Sequence, residues 1–208
     1  TAWLSEEDAR VKWGDKFDQY EAKVQQAVAD TDGQVVLYDG APIMAVFHSS
    51  SAGSTAASGD VWTAELPYLV SVKSPEEADS VPNYYSVNTF TAEEFRAIFC
   101  KAHADAQLSG DCGGWVKDIL LTNAGRVASA TVGGVSVTGK ELRSLFGLRS
   151  AAFTVEAVGD AITFHVTGYG HGVGMSQYGA NELAKEGKNW QEILQWYYTG
   201  VMIGLYNG

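Results

Sequence analysis

The sequence predicts an α+β domain with a mainly antiparallel, curved sheet, N-terminal helices and C-terminal helices. Two observations carry this. Helical spacing of apolar residues is concentrated at the two ends and in short internal segments, while the middle holds short β-rich apolar runs separated by glycine-containing turns. The order of elements is not the strict β-α alternation of a parallel α/β sheet. A chain of 208 residues is read as one elaborated domain over residues 1–208, and its 46% hydrophobic and 12% aromatic content is enough for a packed core.

Ser5 with Asp8 starts the first helical stretch, and Phe17, Tyr20, Val24, Ala27 and Val28 continue it, so residues 5–29 are predicted mostly helical. After Asp32-Gly33 the pattern changes. QVVLY and PIMAVF flank Asp39-Gly40 as a hairpin. Small polar residues from His48 to Asp60, and the text from Pro67 to Asn88, read as surface loops. Thr91 with Glu94 caps a helix through FRAIFCKAHA. WVKDILLTN, GRVASATVGG and VSVTG are strands, and Thr138 with Glu141 caps KELRSLFG. AAFTVEAVGDAITFHVTG forms two strands around Gly159-Asp160. SQYGANELAKEG is a helix stopped at Gly187, and Asn189 with Glu192 caps WQEILQWYYTG. No internal repeat or low-complexity tract appears.

Charge narrows the function. Fourteen basic residues against 25 acidic ones give a net charge of −11, which repels phosphate backbones and disfavours nucleic acid as a partner. No stretch approaches the roughly 20 apolar residues of a membrane span. The first residues, TAWLSEEDAR, lack the basic and apolar regions of a signal peptide and the chain has no initiator Met, so a mature or trimmed extracytoplasmic fragment is expected. Cys100 and Cys112 flank a polar stretch ending in SGDCGG. They are equally compatible with one disulfide and with two free thiols. His103 lies between them without a second histidine nearby, which makes a zinc site weak.

Residues 168–180, GYGHGVGMSQYGA, are the most unusual text. A dinucleotide fingerprint fails in every frame for want of its third glycine, and a G-x-S-x-G elbow around Ser176 meets Tyr178 where glycine is required. Two readings remain. The glycines either let backbone approach a ligand or make a tight crossing of two chain segments, with Ser176 capping the next helix in both. His48, at a strand end before a run of hydroxyls, is the second candidate, able to donate, accept or titrate. His103 on a helix and His165 within a strand are less distinctive.

HSSSAGST, DVWTAELPYLVSV, LFGLRSAAF and GYGHGVGMSQYGANELAKEG, in this order and with WGDKF and YYTGV at the ends, resemble the stage II sporulation protein D family of peptidoglycan lytic transglycosylases over about residues 3–208. The resemblance implies cleavage of the β-1,4 bond between N-acetylmuramic acid and N-acetylglucosamine without water, leaving a 1,6-anhydro end. One carboxylic acid protonates the leaving oxygen and then, as carboxylate, accepts the proton of the sugar's 6-hydroxyl. Partial burial must keep it protonated at the start.

The family's catalytic Glu belongs to an upstream segment, near a Glu-Met-Pro stretch and an Ala-rich helix, that nothing in this chain matches. The catalytic residue is therefore expected outside residues 1–208, and Glu65 and Glu182 inherit no catalytic role. Ala56 stands where family members often carry an acidic residue. The cysteines through which some relatives bind zinc are missing from His48–Thr55, so no metal and no cofactor is carried over.

From the resemblance, His48, Ser49 and Ser51 of the first motif and His171, Ser176, Gln177 and Tyr178 of the second would line a sugar cleft. Tyr169 or Tyr85 would stack on a ring face. The expected partners are peptidoglycan glycan strands, with other cell-wall hydrolases or sporulation membrane proteins as further candidates. Two other readings stand beside this one. A glycan-binding module would hold the polymer without cutting it, and a serine hydrolase would pair Ser176 or Ser50 with His48 or His171.

Overall fold

In the computed structural model, which describes residues 4–206, the chain opens with α1 (Glu6–Trp13), a 3₁₀ turn and α2 (Phe17–Asp30). Ser5 accepts the Asp8 amide at the start. Gly14, at a φ of 51°, breaks the predicted single run in two. The hairpin around Asp39-Gly40 is present as β1 (Gln34–Tyr38) and β2 (Ala41–Pro42). Its second strand is short because Pro42 lacks an N–H for the ladder. The chain then runs irregularly to β3 (Phe47–His48).

Two extended loops follow, interrupted by 3₁₀ turns at Ser58–Asp60 and Ala78–Ser80; the second ends at Tyr84 and not at Asn88, because residues 85–88 pair with the strand Ala161–Thr167. The middle of the molecule is β4 (Tyr85–Thr91), α3 (Ala92–Ala102), β5 (Val116–Leu121), β6 (Val127–Val132), β7 (Val135–Thr138), α4 (Gly139–Leu145), β8 (Phe153–Val158) and β9 (Ala161–Thr167). After the glycine run come β10 (Met175–Ser176), α5 (Gln177–Lys185), α6 (Trp190–Tyr197) and β11 (Met202–Leu205). The capping boxes at Thr91/Glu94 and Asn189/Glu192 form as read from the sequence, and Thr138 accepts the Glu141 amide. Each satisfies helix-terminal donors that would otherwise be unpaired.

The α+β class holds, and its strand pairing is mostly antiparallel but divided among small sheets. β4-β9-β8, β5-β6-β7 and β11-β1-β2 are three-stranded and antiparallel, while β10 and β3 pair parallel. Two apolar cores lie beneath them. Phe95, Phe99, Leu142, Phe146, Ile162 and Phe164 build the first, with Phe95 and Phe146 stacked at 4.5 Å between centroids. Leu69, Val173, Leu183, Ile193, Tyr197 and Tyr198 build the second. Cys100 and Cys112 are free thiols, and the Cys112 Sγ–H donates to Gly159 O at 3.4 Å. Of the two readings of that pair, the disulfide is not the one formed.

Candidate functional site

The two sequence motifs meet. Phe47 and His48 pair in parallel with Met175 and Ser176, Ser50 bridges Tyr169, and Ala56 bridges Val173. Ser50 and Tyr169 exchange both backbone hydrogen bonds, at 3.1 and 2.9 Å, and the Ala56 amide donates to Gly172 O at 2.8 Å. Segments more than a hundred residues apart are thus stitched edge to edge along their length.

The glycines make this approach possible. A β-carbon on Gly174 would fall on Val46 O, and one on Gly170 would lie 2.7 Å from the His48 Cβ. Both residues have positive φ, 71° and 119°, where a side chain is strained in any case. Gly168 and Gly172 face the Ser50 and Ser51 carbonyls and the Arg126 guanidinium in the same way. The bare faces of the run are therefore filled by the protein's own chain. Of the two readings of the glycines, the tight crossing is the one realised, and the backbone laid open for a ligand is corrected.

Behind this seam most polar groups are satisfied internally, while Ser50 Oγ and Glu76 Oε2 are buried without a partner among the described residues. His48 is 4% exposed. Its Nδ1 lies 3.2 Å from Val173 O, an atom that only accepts, so Nδ1 carries the proton and Nε2 accepts the Ser51 hydroxyl at 2.8 Å. Burial, with His171 nearby, pushes the His48 pKa down to about 3, which keeps the ring neutral. Ser176 is fully buried. Its Oγ accepts the Gly179 amide at 3.2 Å and donates to Glu76 Oε1 at 2.6 Å. The Ser51 amide donates to the same oxygen. His48, Ser51 and Ser176, expected to face sugar, instead hold the two segments in register.

Other predicted residues reach the surface. His171 is half-buried, 5.7 Å from His48 and 5.4 Å from Trp62 between ring centroids, and burial lowers its pKa. The Val173 amide donates to its Nδ1 at 3.1 Å, which leaves Nε2 as the protonated nitrogen. It lines a cavity of about 140 Å³ together with Asp60, Trp62, Arg126, Lys140 and Arg143. Tyr169 is exposed beside it, under the Arg149 guanidinium at 4.1 Å, in a recess that shares Lys140 and Arg143. Gln177 is exposed at the start of α5 and Tyr178 is half-buried, its amide donating to the carbonyl of the half-buried Ser49. Tyr85 is separate from His171. It stands 65% exposed in a wider cleft of about 770 Å³ with Tyr84, Ile119, Leu121, Phe153 and His165, which Ala52 and Gly53 of the first motif also line.

Sequence reasoning missed Glu76, Arg126 and Arg143. Glu76 lies in SPEEADS among other acidic residues, with no local sign of burial. Arg149 and Trp62 were within reach, since LRS and DVW belong to the motif text. The serine hydrolase pairings are not made. Ser176 bonds Glu76, the buried Ser50 Oγ has no partner among the described residues, and the serine on His48 is the fully buried Ser51.

Comparison with known proteins follows the motifs. No protein-family model matches the chain. It is 39% identical over 201 residues to stage II sporulation protein D of Bacillus subtilis (strain 168), covering 97% of this chain and 57% of that protein. The counterpart in Bacillus amyloliquefaciens is 40% identical over 202 residues, covering 97% and 56%. An amidase enhancer of Bacillus subtilis (strain 168) is 28% identical over 236 residues, covering 90% and 33%. The chain spans a little over half the length of the first two relatives, and identity near 40% along nearly all of its own length supports the stage II sporulation protein D family that its motifs resemble.

Proposed function

We propose that this chain is the glycan-handling part of a sporulation cell-wall enzyme, a peptidoglycan lytic transglycosylase that leaves 1,6-anhydro-muramic ends. The observation that carries this reading is the seam between residues 47–56 and 169–176, made from the two motifs shared with the family and flanked by clefts that hold Tyr85, Tyr169 and His171. Exposed aromatic rings beside amide and hydroxyl groups suit sugar faces and their acetamido substituents. The names of the relatives add sporulation and the enhancement of an amidase; the extracytoplasmic cell wall as the setting, with amidases as candidate partners, is part of this proposal.

The acid that the reaction needs is assigned to polypeptide beyond residues 1–208. Asp60 is the one carboxylate lining these three clefts among the described residues, and it is exposed, whereas a general acid draws its raised pKa from burial. Glu76 is buried and lines none of the three clefts; its Oε1 accepts from Ser51 and Ser176, and its Oε2 has no partner among the described residues. This favours a second reading, a module that binds glycan strands and leaves them intact. Incubating glycan strands with residues 1–208, and separately with a longer form carrying the upstream segment, distinguishes the two. Anhydro-muramic products from the longer form alone are expected. Cleavage by residues 1–208 would overturn the placement of the acid, and intact strands in both reactions would leave the binding module.

A further inference from the structure

Helix α4 carries Lys140, Arg143 and Ser144 at i, i+3 and i+4, which share one face. Gly147, at a φ of 62°, follows the helix in the left-handed conformation that glycine favours, and the Leu148 amide turns back to Arg143 O at 2.9 Å. Arg149 comes next and lines, with these residues and Tyr169, a recess of about 540 Å³. A β-carbon on Gly147 would meet nothing within 4 Å, so the recess is open there.

The cations of this recess lack counter-charges. Lys140, Arg143 and Arg149 belong to no ion pair among the described residues, and no carboxylate lines the recess. Glu141, the acidic residue of α4, is held by His103 at 2.8 Å. Asp60 lines the adjoining His171 cavity, which shares Lys140 and Arg143 and adds Arg126, but it pairs with none of them. One carboxylate against these four cations leaves a positive region in a chain of net charge −11. Its donors are free as well. Arg143 Nε donates to Leu148 O at 3.3 Å, and the two Nη groups have no acceptor among the described residues. Arg149 Nε is buried without a partner, and the guanidinium lies over the Tyr169 ring at 4.1 Å.

We propose that this recess binds a phosphodiester group of an anionic wall polymer built on a small polyol. The guanidinium fork matches phosphate oxygens. Donors arriving both from α4 and from the loop after it suit a tetrahedral group better than a planar carboxylate. Ser144 adds a hydroxyl, and Tyr169 adds aromatic surface for polyol carbons. The net charge decides between a polymer and a membrane. An anionic bilayer would press the whole acidic body against a charged plane, whereas a flexible polymer offers one phosphate and holds the rest away. The site itself goes beyond the glycan reading, and the wall as the source of the phosphate rests on the cell-wall setting proposed above.

The test titrates residues 1–208 at low ionic strength with a glycerol phosphate oligomer, with acetate as the carboxylate control and with chitotriose as the glycan probe, following arginine side-chain NMR signals. Cosedimentation with phosphatidylglycerol vesicles is measured in parallel. Saturable shifts at Arg143 and Arg149 with the oligomer are expected, with no vesicle binding. Arg149→Gln should weaken oligomer binding about tenfold, the size of a lost charge-assisted hydrogen bond. Lys140 is exposed, so Lys140→Gln removes charge without disturbing the core and should weaken binding too, whereas Lys101→Gln, on exposed α3 surface, should not. Absence of saturation, acetate affinity equal to that of the oligomer, or equal weakening by Lys101→Gln overturns the proposal, as does vesicle binding that the oligomer does not displace. Oligomer binding without chitotriose binding keeps this site and removes the glycan reading, and chitotriose binding without oligomer binding removes this site alone.

Discussion

Ser176 Oγ donates a 2.6 Å hydrogen bond to Glu76 Oε1, and this carboxylate oxygen also accepts the Ser51 amide. One buried side chain therefore fastens both motifs. Glu76→Ala strands two buried donors at about 1–3 kcal/mol each, so a loss of roughly 2–5 kcal/mol in urea unfolding is expected. Glu76→Gln keeps an acceptor in place and should cost less. Equal losses from the two substitutions would mean that packing, not hydrogen bonding, is the role of the side chain.

Glycine is required where the segments touch. Gly174→Ala would drive a methyl onto Val46 O, and Gly179→Ala would drive one onto the Tyr197 and Ser74 hydroxyls. Overpacking of this kind costs about 1–3 kcal/mol. Gly59→Ala meets only ordinary contact with Glu65, at 3.5 Å, and serves as the neutral control in thermal melting.

The local elements were legible because their signals are local: a Thr or Asn cap three residues ahead of Glu, or a Gly-Asp turn between apolar runs. The adjacency of the two motifs was legible through the family resemblance. Their division of labour was not. Whether Ser51 faces solvent or Glu76 depends on a loop 25 residues away, and nothing in HSSSAGST records it. The same holds for Arg126, a strand-edge residue by sequence whose guanidinium is placed by Gly170 and Gly172, more than forty positions on.

His48 links stability to pH. Its folded pKa of about 3 lies below the unfolded value of about 6.5, so between those limits the unfolded chain binds a proton that the folded chain refuses. Stability from this residue is complete above pH 6.5 and is lost as pH falls through the window, with a slope of up to about 1.4 kcal/mol per pH unit. The neighbouring His171 shifts in the same direction and adds to it. His48→Asn should flatten the acid limb of a stability-versus-pH curve.

The thiols give an independent check on the fold. Cys100 is half-buried and Cys112 is 3% exposed. A thiol reagent should modify Cys100 first and Cys112 only on unfolding, with two labels per chain by mass spectrometry under oxidising purification. A mass showing a closed disulfide would contradict the structure between residues 100 and 112.

The central claim is that the seam presents its outer side chains to aminosugar polymer, and amide NMR mapping with a muramic acid–glucosamine oligomer tests it most directly. The account predicts shifts at Ala52 and Gly53, at Tyr169 to Gly172, at Gln177 and Tyr178 and at Tyr85, with α1 and α2 silent. Shifts confined to α1 and α2, or no shifts at saturating oligomer, would contradict it.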